Sequence, residues 1–214
     1  MRAGRDPAGV RIVVAAKTFP AEAVRAVVEA GARDIGENYV QEARRKRAEL
    51  DRADVRWHLI GRLQRNKAKT ALDLFDVIHS LDRLDLATDL DRAARAAGRR
   101  ANCLVEVNLG SEKSKGGVSP GELERFLGQL AEFPDLLIEG LMAVPPPATR
   151  PEDSRLHFAE LFDLRERLSG LRLPNARLKE LSMGMSADFE AAIEEGATIV
   201  RIGTAIFGTR TGTG

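Results

Sequence analysis

Strand-length apolar runs alternate with amphipathic helical stretches along the sequence, and this alternation restricts the possible folds more than any other feature. The pattern predicts eight strands, at residues 11–18, 34–38, 55–61, 77–81, 102–109, 136–144, 178–182 and 199–207. The clearest predicted helices lie at residues 20–30, 83–97, 122–133, 154–168 and 187–195. Most of the strands are too apolar to leave one face in water, which is typical of a parallel sheet covered on both sides.

Eight strands with helical crossovers in 214 residues predict an α/β fold with one domain, residues 1–214, in the form of a (β/α)8 TIM barrel. An open doubly wound sheet is the alternative fold. No glycine-rich dinucleotide fingerprint follows an early strand, so the sequence lacks the motif that often accompanies a doubly wound sheet. The sequence therefore favours the closed barrel.

Charge and composition argue against several classes of function. The 33 basic and 32 acidic residues leave a net charge of +1, and one Trp and one Tyr offer no stacking surface, so nucleic acid is not an expected partner. No apolar run is long enough to span a membrane and the first residues lack a signal-peptide core, so no membrane association is expected. A single cysteine, Cys103, suits a reducing compartment and predicts a cytoplasmic location.

Polar side chains close most of the predicted strands. Parallel barrels carry their functional groups at the carboxyl ends of the strands, so these side chains are expected to surround one mouth. The residues are Lys17, Glu37, Asn38, His58, His79, Ser80, Asn108, Ser182 and Arg201. The histidines have no metal-ligand spacing, which predicts no metal site, and we expect His58 and His79 to line the mouth as hydrogen-bonding groups.

The loops after the last two predicted strands resemble a phosphate-binding site. Barrels commonly hold phosphate there with backbone N–H groups, which glycine allows a ligand to approach closely. The candidate contacts are Ser182, Gly203 and Thr204. A purely structural interpretation is compatible with this one: Ser186 would cap a helix beginning at Ala187, and Gly203 would relieve crowding.

Lys17 ends an otherwise apolar strand, where an ammonium group is more often a solvated terminus than a reactive group. The predicted phosphate site changes this interpretation. A barrel mouth and the nearby positive charge of Arg201 would favour the neutral amine, which can condense with an aldehyde. A ligand that carries both a phosphate and an aldehyde would fit, and pyridoxal 5'-phosphate has both groups.

Seven ordered motifs are shared with one known family. They are AAKT at 15–18, GENYVQE at 36–42, WHLIG at 57–61, LQ with NK at 63–67, LMA at 141–143, LSMGMSADFEAAIEEGAT at 181–198 and VRIGTAIFG at 200–208. From about Gly4 to Gly208, the sequence closely resembles the pyridoxal phosphate homeostasis protein family.

This resemblance implies a barrel like the N-terminal domain of alanine racemases, with pyridoxal phosphate held as a Schiff base on Lys17. It implies that Ser182, Gly203 and Thr204 hold the phosphate and that Arg201 faces the pyridine nitrogen. The mouth positions near the cofactor would be Asn38, His58, Ser80 and Met142.

The resemblance also implies a non-enzymatic protein in vitamin B6 homeostasis, with pyridoxal-phosphate-dependent apoenzymes as possible recipients. The residues give a physical reason, because a charged Arg201 would leave the pyridine nitrogen largely unprotonated and weaken the ring as an electron sink. A low-activity racemase, which needs acid–base groups on both faces of the ring, is the main alternative. A Schiff-base aldolase without cofactor and a pure interaction protein remain further alternatives.

Two features depart from the family pattern, and a third is a pair of lysines outside the shared motifs. Relatives carry a helix of about 20 residues before the GRDP segment, whereas this sequence begins three residues before Gly4, so either the start is trimmed or misassigned or the outer helix is absent. Without that helix a monomer would expose apolar surface on neighbouring helices and could self-associate weakly. Ala16 stands where relatives often have serine or threonine. Lys113 and Lys115 could assist loading or release as second amines, although the simpler interpretation is that they are solvated loop residues.

Overall fold

The computed structural model describes residues 3–110, 116–146 and 150–208, and over these residues the chain forms a closed parallel barrel of eight strands in sequence order. The strands are β1 (Arg11–Ala15), β2 (Asp34–Glu37), β3 (Arg56–Leu59), β4 (Val77–Leu81), β5 (Ala101–Glu106), β6 (Leu136–Met142), β7 (Ala176–Met185) and β8 (Ile199–Ile202). The predicted fold class is confirmed.

Helices connect the strands on the outside of the barrel. They are α1 (Ala21–Glu29), α2 (Val40–Leu50), α3 (Ala68–Leu74), α4 (Leu84–Ala96), α5 (Leu123–Leu130), α6 (Arg155–Ser169), α7 (Phe189–Glu194) and α8 (Thr204–Phe207). Short 3-10 turns occur at Pro7–Gly9, Arg65–Lys67 and Pro151–Ser154. Within the described residues, no helix is both long enough and apolar enough to cross a membrane.

Two hydrophobic clusters show why the strands are apolar on both faces. A small cluster fills the barrel interior and consists of Val13, Val77, Leu104, Met142 and Ile199, with Ile60 packed against it. A much larger cluster lies between the strands and the surrounding helices. Because β1, β4, β5, β6 and β8 contribute to both clusters, their sequences cannot show the simple alternation of a strand that has one wet face.

The last strand is shorter than predicted. Residues 199–207 were expected to form one strand, but β8 ends at Ile202, and Gly203 then begins the short helix α8. Gly203 also lies close to β1: a Cβ atom there would approach the carbonyl oxygen of Ala15 to 3.3 Å. The chain therefore turns back over the mouth at Gly203.

The outer faces of β1 and β8 are only partly covered. Ile12 of β1 is 55% exposed and Ile206 of α8 is 40% exposed. Both border a groove of about 740 Å³ whose floor includes Val200 and Ile202 of β8. The apolar surface around this groove thus includes β1, β8 and α8, and weak self-association through it stays a prediction.

Candidate cofactor site at the barrel mouth

Lys17 follows β1 directly, and hydrogen bonds hold the backbone on both sides of it. The Ala16 N–H donates to the Gly36 carbonyl at 2.9 Å, and the Ala16 carbonyl accepts from the Lys46 ammonium at 2.8 Å. On the other side, the Thr18 N–H donates to Glu42 Oε2 at 3.3 Å. The Lys17 side chain itself is half-buried and makes no hydrogen bond or ion pair with the residues that the structure describes.

A buried ion pair lies behind this lysine. Lys46 of α2 and Glu37 of β2 are both fully buried, and Lys46 Nζ lies 2.6 Å from Glu37 Oε1. Burial raises the pKa of Glu37 to about 7, although the Lys46 ammonium opposes the rise. The second oxygen, Glu37 Oε2, has no hydrogen-bond partner among the described residues. Lys46 thus links the end of β1 to the end of β2.

The loops after β7 and β8 are joined by one serine side chain. Ser186 Oγ accepts hydrogen bonds from the backbone N–H groups of Gly203 at 3.1 Å and Ala205 at 3.2 Å. The prediction that Ser186 caps the following helix is wrong, because α7 begins at Phe189 and Asp188 precedes it. Sequence reasoning did not include Ser186 among the candidate phosphate contacts, although its place in the SMGMS segment could have indicated it.

Aromatic stacking brings the Lys17 loop and the loop after β8 together. The rings of Phe19 and Phe207 stack with centroids 4.3 Å apart and an interplanar angle of 24°. With the approach of Gly203 to Ala15, this contact places Gly203 and Thr204 beside the segment that carries Lys17. The structure therefore brings the predicted amine and two of the predicted phosphate contacts to one side of the mouth.

Arg201 and Ser182 lie deeper in the barrel. The Arg201 guanidinium donates through Nη1 to the Ser182 carbonyl at 2.7 Å and to Ser182 Oγ at 2.6 Å, and through Nη2 to the Ala143 carbonyl at 2.9 Å. Burial lowers the pKa of Arg201 to about 10, which still leaves the guanidinium charged at neutral pH. Ser182 Oγ is engaged with Arg201 and with His79, so its surroundings differ from those expected of a phosphate contact.

The two interior histidines do not line the mouth as predicted. His58 and His79 are fully buried, and His58 Nδ1 lies 2.9 Å from His79 Nε2. His58 Nε2 reaches Asp34, the first residue of β2, at 2.8 Å, and His79 Nδ1 reaches Ser182 Oγ at 3.0 Å. Burial lowers the pKa of both imidazoles. No cluster of three metal-ligating side chains occurs in the described part of the chain.

The ends of β2, β3 and β4 form the rim opposite β8. A Cβ atom on Gly61 would lie 2.5 Å from the carbonyl oxygen of Asn38, so only glycine allows this approach. Ser80 Oγ donates to the Gly61 carbonyl at 2.7 Å, which joins the ends of β3 and β4. Met142 is buried in the interior cluster that lies below the rim.

Glu106, which lies near Arg201, and its neighbour Asp82 were not singled out from the sequence. Burial and the neighbouring Asp82 raise the pKa of Glu106, while Arg201 opposes the rise. The side chain of Asp82 is 6% exposed and contacts Arg83. β5 ends at Glu106, before the predicted end at Leu109, and a carboxylate within the apolar run 102–109 was the available signal. Lys113, Lys115 and Pro147 of the proline segment lie outside the described residues.

The donor set fits a ligand with a phosphate and an aldehyde. An unpaired amine lies on one side of the mouth, and the Gly203 and Thr204 backbone with the Ser186 and Thr204 hydroxyls lies beside it. The Arg201 bonds engage three of the five N–H groups of a guanidinium, so others remain to donate to a ring nitrogen. The chemistry of these groups matches pyridoxal phosphate.

The whole described barrel matches one family model, "Alanine racemase, N-terminal domain", over residues 3–211. Among curated proteins, the chain is 46% identical to the pyridoxal phosphate homeostasis protein of Aquifex aeolicus over 209 residues, covering 98% of this chain and 91% of that protein. It is 39% identical to the protein of the same name from Escherichia coli K12, covering 98% and 89%.

Solved structures give the same likeness. PipY of Synechococcus elongatus with PLP bound is 40% identical to this chain, with a TM-score of 0.87 and coverage of 97% of this chain and 96% of that one. An alanine racemase of Clostridium difficile 630 has a TM-score of 0.73 at 14% identity, covering 99% of this chain and 55% of that chain. The second match concerns the fold alone.

Proposed function

This chain belongs to the pyridoxal phosphate homeostasis protein family, and from that membership we propose that it binds pyridoxal 5'-phosphate and acts in intracellular vitamin B6 homeostasis without robust turnover. One observation carries the proposal. The unpaired Lys17 amine lies on the same side of the mouth as Ser186, Gly203 and Thr204, and the stacked Phe19 and Phe207 rings join their loops. An aldehyde and a phosphate on one small molecule would meet both groups.

We assign each end of the ligand to specific residues. Lys17 would hold the aldehyde carbon as a reversible Schiff base, and Gly203 and Thr204 would hold the phosphate. Ser186 replaces Ser182 as the third phosphate residue, because Ser186 Oγ lies beside the Gly203 and Ala205 N–H groups. Arg201 would donate to the pyridine nitrogen, and Asn38, Ser80 and Met142 would border the ring. His58 is buried and bonded to other side chains, so we propose no direct cofactor contact for it.

The same residues support binding without catalysis. Bound pyridoxal phosphate can withdraw electrons from a substrate, and a protonated pyridine nitrogen strengthens that effect. The pKa of Arg201, although lowered to about 10, keeps this residue charged at neutral pH, so it donates a hydrogen bond and does not give its proton to the ring. A racemase also needs acid–base groups on both faces of the ring. Tyr39, the single tyrosine in the sequence, is exposed before α2 and does not supply such a group from the barrel interior.

The proposed cellular partners follow from the same chemistry. A Schiff base exchanges with other amines, so a carrier could release pyridoxal phosphate to the active-site lysine of an apoenzyme. The family relationship and the single cysteine, Cys103, support a cytoplasmic location, because one cysteine forms no intrachain disulfide.

Two measurements on one preparation test the proposal. We expect titration with pyridoxal phosphate to give a visible absorbance band distinct from that of free pyridoxal phosphate, and incubation of the loaded protein with L-alanine in deuterated water to give no deuterium at Cα. Lys17→Ala should lose the band, whereas Lys69→Ala, which removes an exposed lysine on α3, should keep it. Lys17-dependent deuterium incorporation would instead favour the low-activity racemase. A protein that takes up no pyridoxal phosphate would contradict the proposal entirely.

A further inference from the structure

Five side chains form one unbroken hydrogen-bonded series through the barrel. The series runs from Arg201 to Ser182 Oγ at 2.6 Å, then to His79 at 3.0 Å, to His58 at 2.9 Å and to Asp34 at 2.8 Å. Its members come from β8, β7, β4, β3 and β2, so the step from Ser182 to His79 crosses the interior between β7 and β4. Arg201, Ser182, His79 and His58 are all buried, with Arg201 the most exposed at 5%.

The partners at both ends fix the direction of every hydrogen bond. An ionised Asp34 carboxylate can only accept, so His58 must donate through Nε2 and leave Nδ1 as an acceptor. His79 must then donate through Nε2 and accept at Nδ1. Ser182 consequently donates its hydroxyl proton to His79 and accepts from Arg201, which can only donate. We assign both histidines as neutral Nε2–H tautomers on this basis.

The surrounding charges agree with two neutral imidazoles. Desolvation is the main cause that lowers the pKa of each ring, and the charges of Arg11 and Arg56 lower it further. Arg201 acts on His79 in the same direction, whereas Asp34 raises the pKa of His58. Arg11 also lies 3.7 Å from Asp34 and 3.7 Å from Glu180, so the carboxylate end of the series is itself anchored.

We propose that Ser182, His79, His58 and Asp34 act as positioning residues that hold the Arg201 guanidinium in a fixed orientation toward the cofactor ring. The inference rests on the proposed function, in which Arg201 faces the pyridine nitrogen. Each hydrogen bond polarises the next, so an aligned series strengthens the Arg201–Ser182 bond that holds the guanidinium in place. None of the four residues touches the cofactor in this arrangement. Their effect reaches it only through Arg201.

Histidine nitrogen resonances test the direction of the series without any cofactor. The chain has three histidines, so nitrogen-15 labelling gives a simple spectrum, and the variant His157→Gln identifies the one outside the series. At neutral pH we expect His58 and His79 each to carry one proton, on Nε2. A doubly protonated ring, or a proton on Nδ1 of either residue, would overturn the inference.

Substitution of His79 tests the effect on the cofactor. His79→Leu removes the acceptor of Ser182 and should weaken pyridoxal phosphate binding by about tenfold, because a loosened Arg201 would lose one charge-assisted hydrogen bond to the cofactor. It should also shift the wavelength of the cofactor band, since Arg201 would no longer be held in place. His79→Gln keeps one donor and one acceptor and should restore most of both properties. His157→Leu, a substitution outside the series, should change neither.

The outcomes separate this inference from the proposed function. If His79→Leu folds and keeps both the wild-type affinity and the wild-type band, the positioning role is wrong while cofactor binding on Lys17 stands. If wild-type protein binds no pyridoxal phosphate, the proposed function fails and the positioning role fails with it. If His79→Leu does not fold, the tautomers of the wild-type protein and the degree of rescue in His79→Gln decide the question.

Discussion

At the scale of single residues, the two serines near the carboxyl end have different surroundings. Ser186 Oγ accepts hydrogen bonds from the backbone N–H groups of Gly203 and Ala205. Ser182 Oγ, in contrast, lies inside the barrel between Arg201 and His79. Their sequence contexts are similar, since both follow strand-like residues in the LSMGMS segment. Only the fold shows which hydroxyl lies beside the phosphate loops.

This difference predicts opposite results for two alanine substitutions. Ser186→Ala should weaken binding of pyridoxal phosphate by about tenfold and leave pyridoxal, which has no phosphate, much less affected, because one hydrogen bond to a charged group is lost. Ser182→Ala should affect both ligands alike through Arg201. Fluorescence titration with each ligand gives the ratio of affinities. A changed ratio in Ser182→Ala and an unchanged one in Ser186→Ala would show that the assignment is reversed.

At the scale of secondary structure elements, α2 holds the end of β1. Lys46 and Glu42 of α2 bind the backbone on either side of Lys17, and the Lys46 bond to Glu37 ties this helix to β2. Helix α2 therefore fixes the Lys17 loop. Its strongly basic sequence RRKR, at residues 44–47, does not indicate that Lys46 is buried. Burial of a lysine within such a run depends on the one acidic partner that tertiary structure supplies.

Removal of Lys46 should be strongly destabilising. Lys46→Met would leave Glu37 buried without its partner, and we expect a loss of about 3–5 kcal/mol in the free energy of unfolding. Urea denaturation measures this loss. Lys69→Met, on the exposed side of α3, should cost much less. Equal effects of the two substitutions would contradict a structural role for the Lys46 ion pair.

The same pair predicts a dependence of stability on pH. Burial raises the pKa of Glu37 from 4.5 to about 7, so between these values the folded protein holds a proton that the unfolded chain has lost. This contribution to stability is fully present below 4.5 and disappears as the pH rises through 7. Thermal unfolding across this window should show a smaller decline in Glu37→Gln than in wild type, whereas the exposed control Glu29→Gln should behave as wild type does. An unchanged profile in Glu37→Gln would show that Glu37 is ionised throughout.

The elements also show what sequence could and could not predict. All eight strands and the five clearest helices were predicted, because long apolar runs and glycine stops are local signals. The prediction extended the last strand to residue 207, because TAIF at 204–207 is apolar enough for a strand. These residues instead form α8 after the turn at Gly203. The inward direction of His58 and His79 could not be read, because a strand that is apolar on both faces does not reveal which alternate residues face the interior. Register shifts within β4 to β8 add to this ambiguity.

At the scale of the whole molecule, the barrel interior combines an apolar cluster with one polar series of side chains. The small interior cluster, which includes Val13, occupies the same space as the series from Arg201 to Asp34. Burial in this interior lowers the pKa of both histidines and keeps them neutral. The mouth collects the remaining polar groups at one end. Fold and site are therefore linked through the residues that cross the interior.

Neutral buried histidines predict a loss of stability in acid. The unfolded chain binds protons on His58 and His79 below the ordinary pKa of 6.5, whereas the folded protein resists this because burial lowers both pKa values. Their contribution to stability is thus present above 6.5 and decreases as the pH falls below it. In thermal unfolding, His79→Gln should lose less stability on acidification than wild type, and His157→Gln should follow wild type. A wild-type slope in His79→Gln would contradict a buried neutral His79.

The most direct test of the central claim is to identify the lysine that carries the cofactor. The protein would be loaded with pyridoxal phosphate, reduced with borohydride, digested and analysed by peptide mass spectrometry. We predict one phosphopyridoxyl group on the peptide that contains Lys17, and none on that peptide in Lys17→Ala. A label that is absent from Lys17, or spread evenly over surface lysines such as Lys69, would contradict a cofactor site at this barrel mouth.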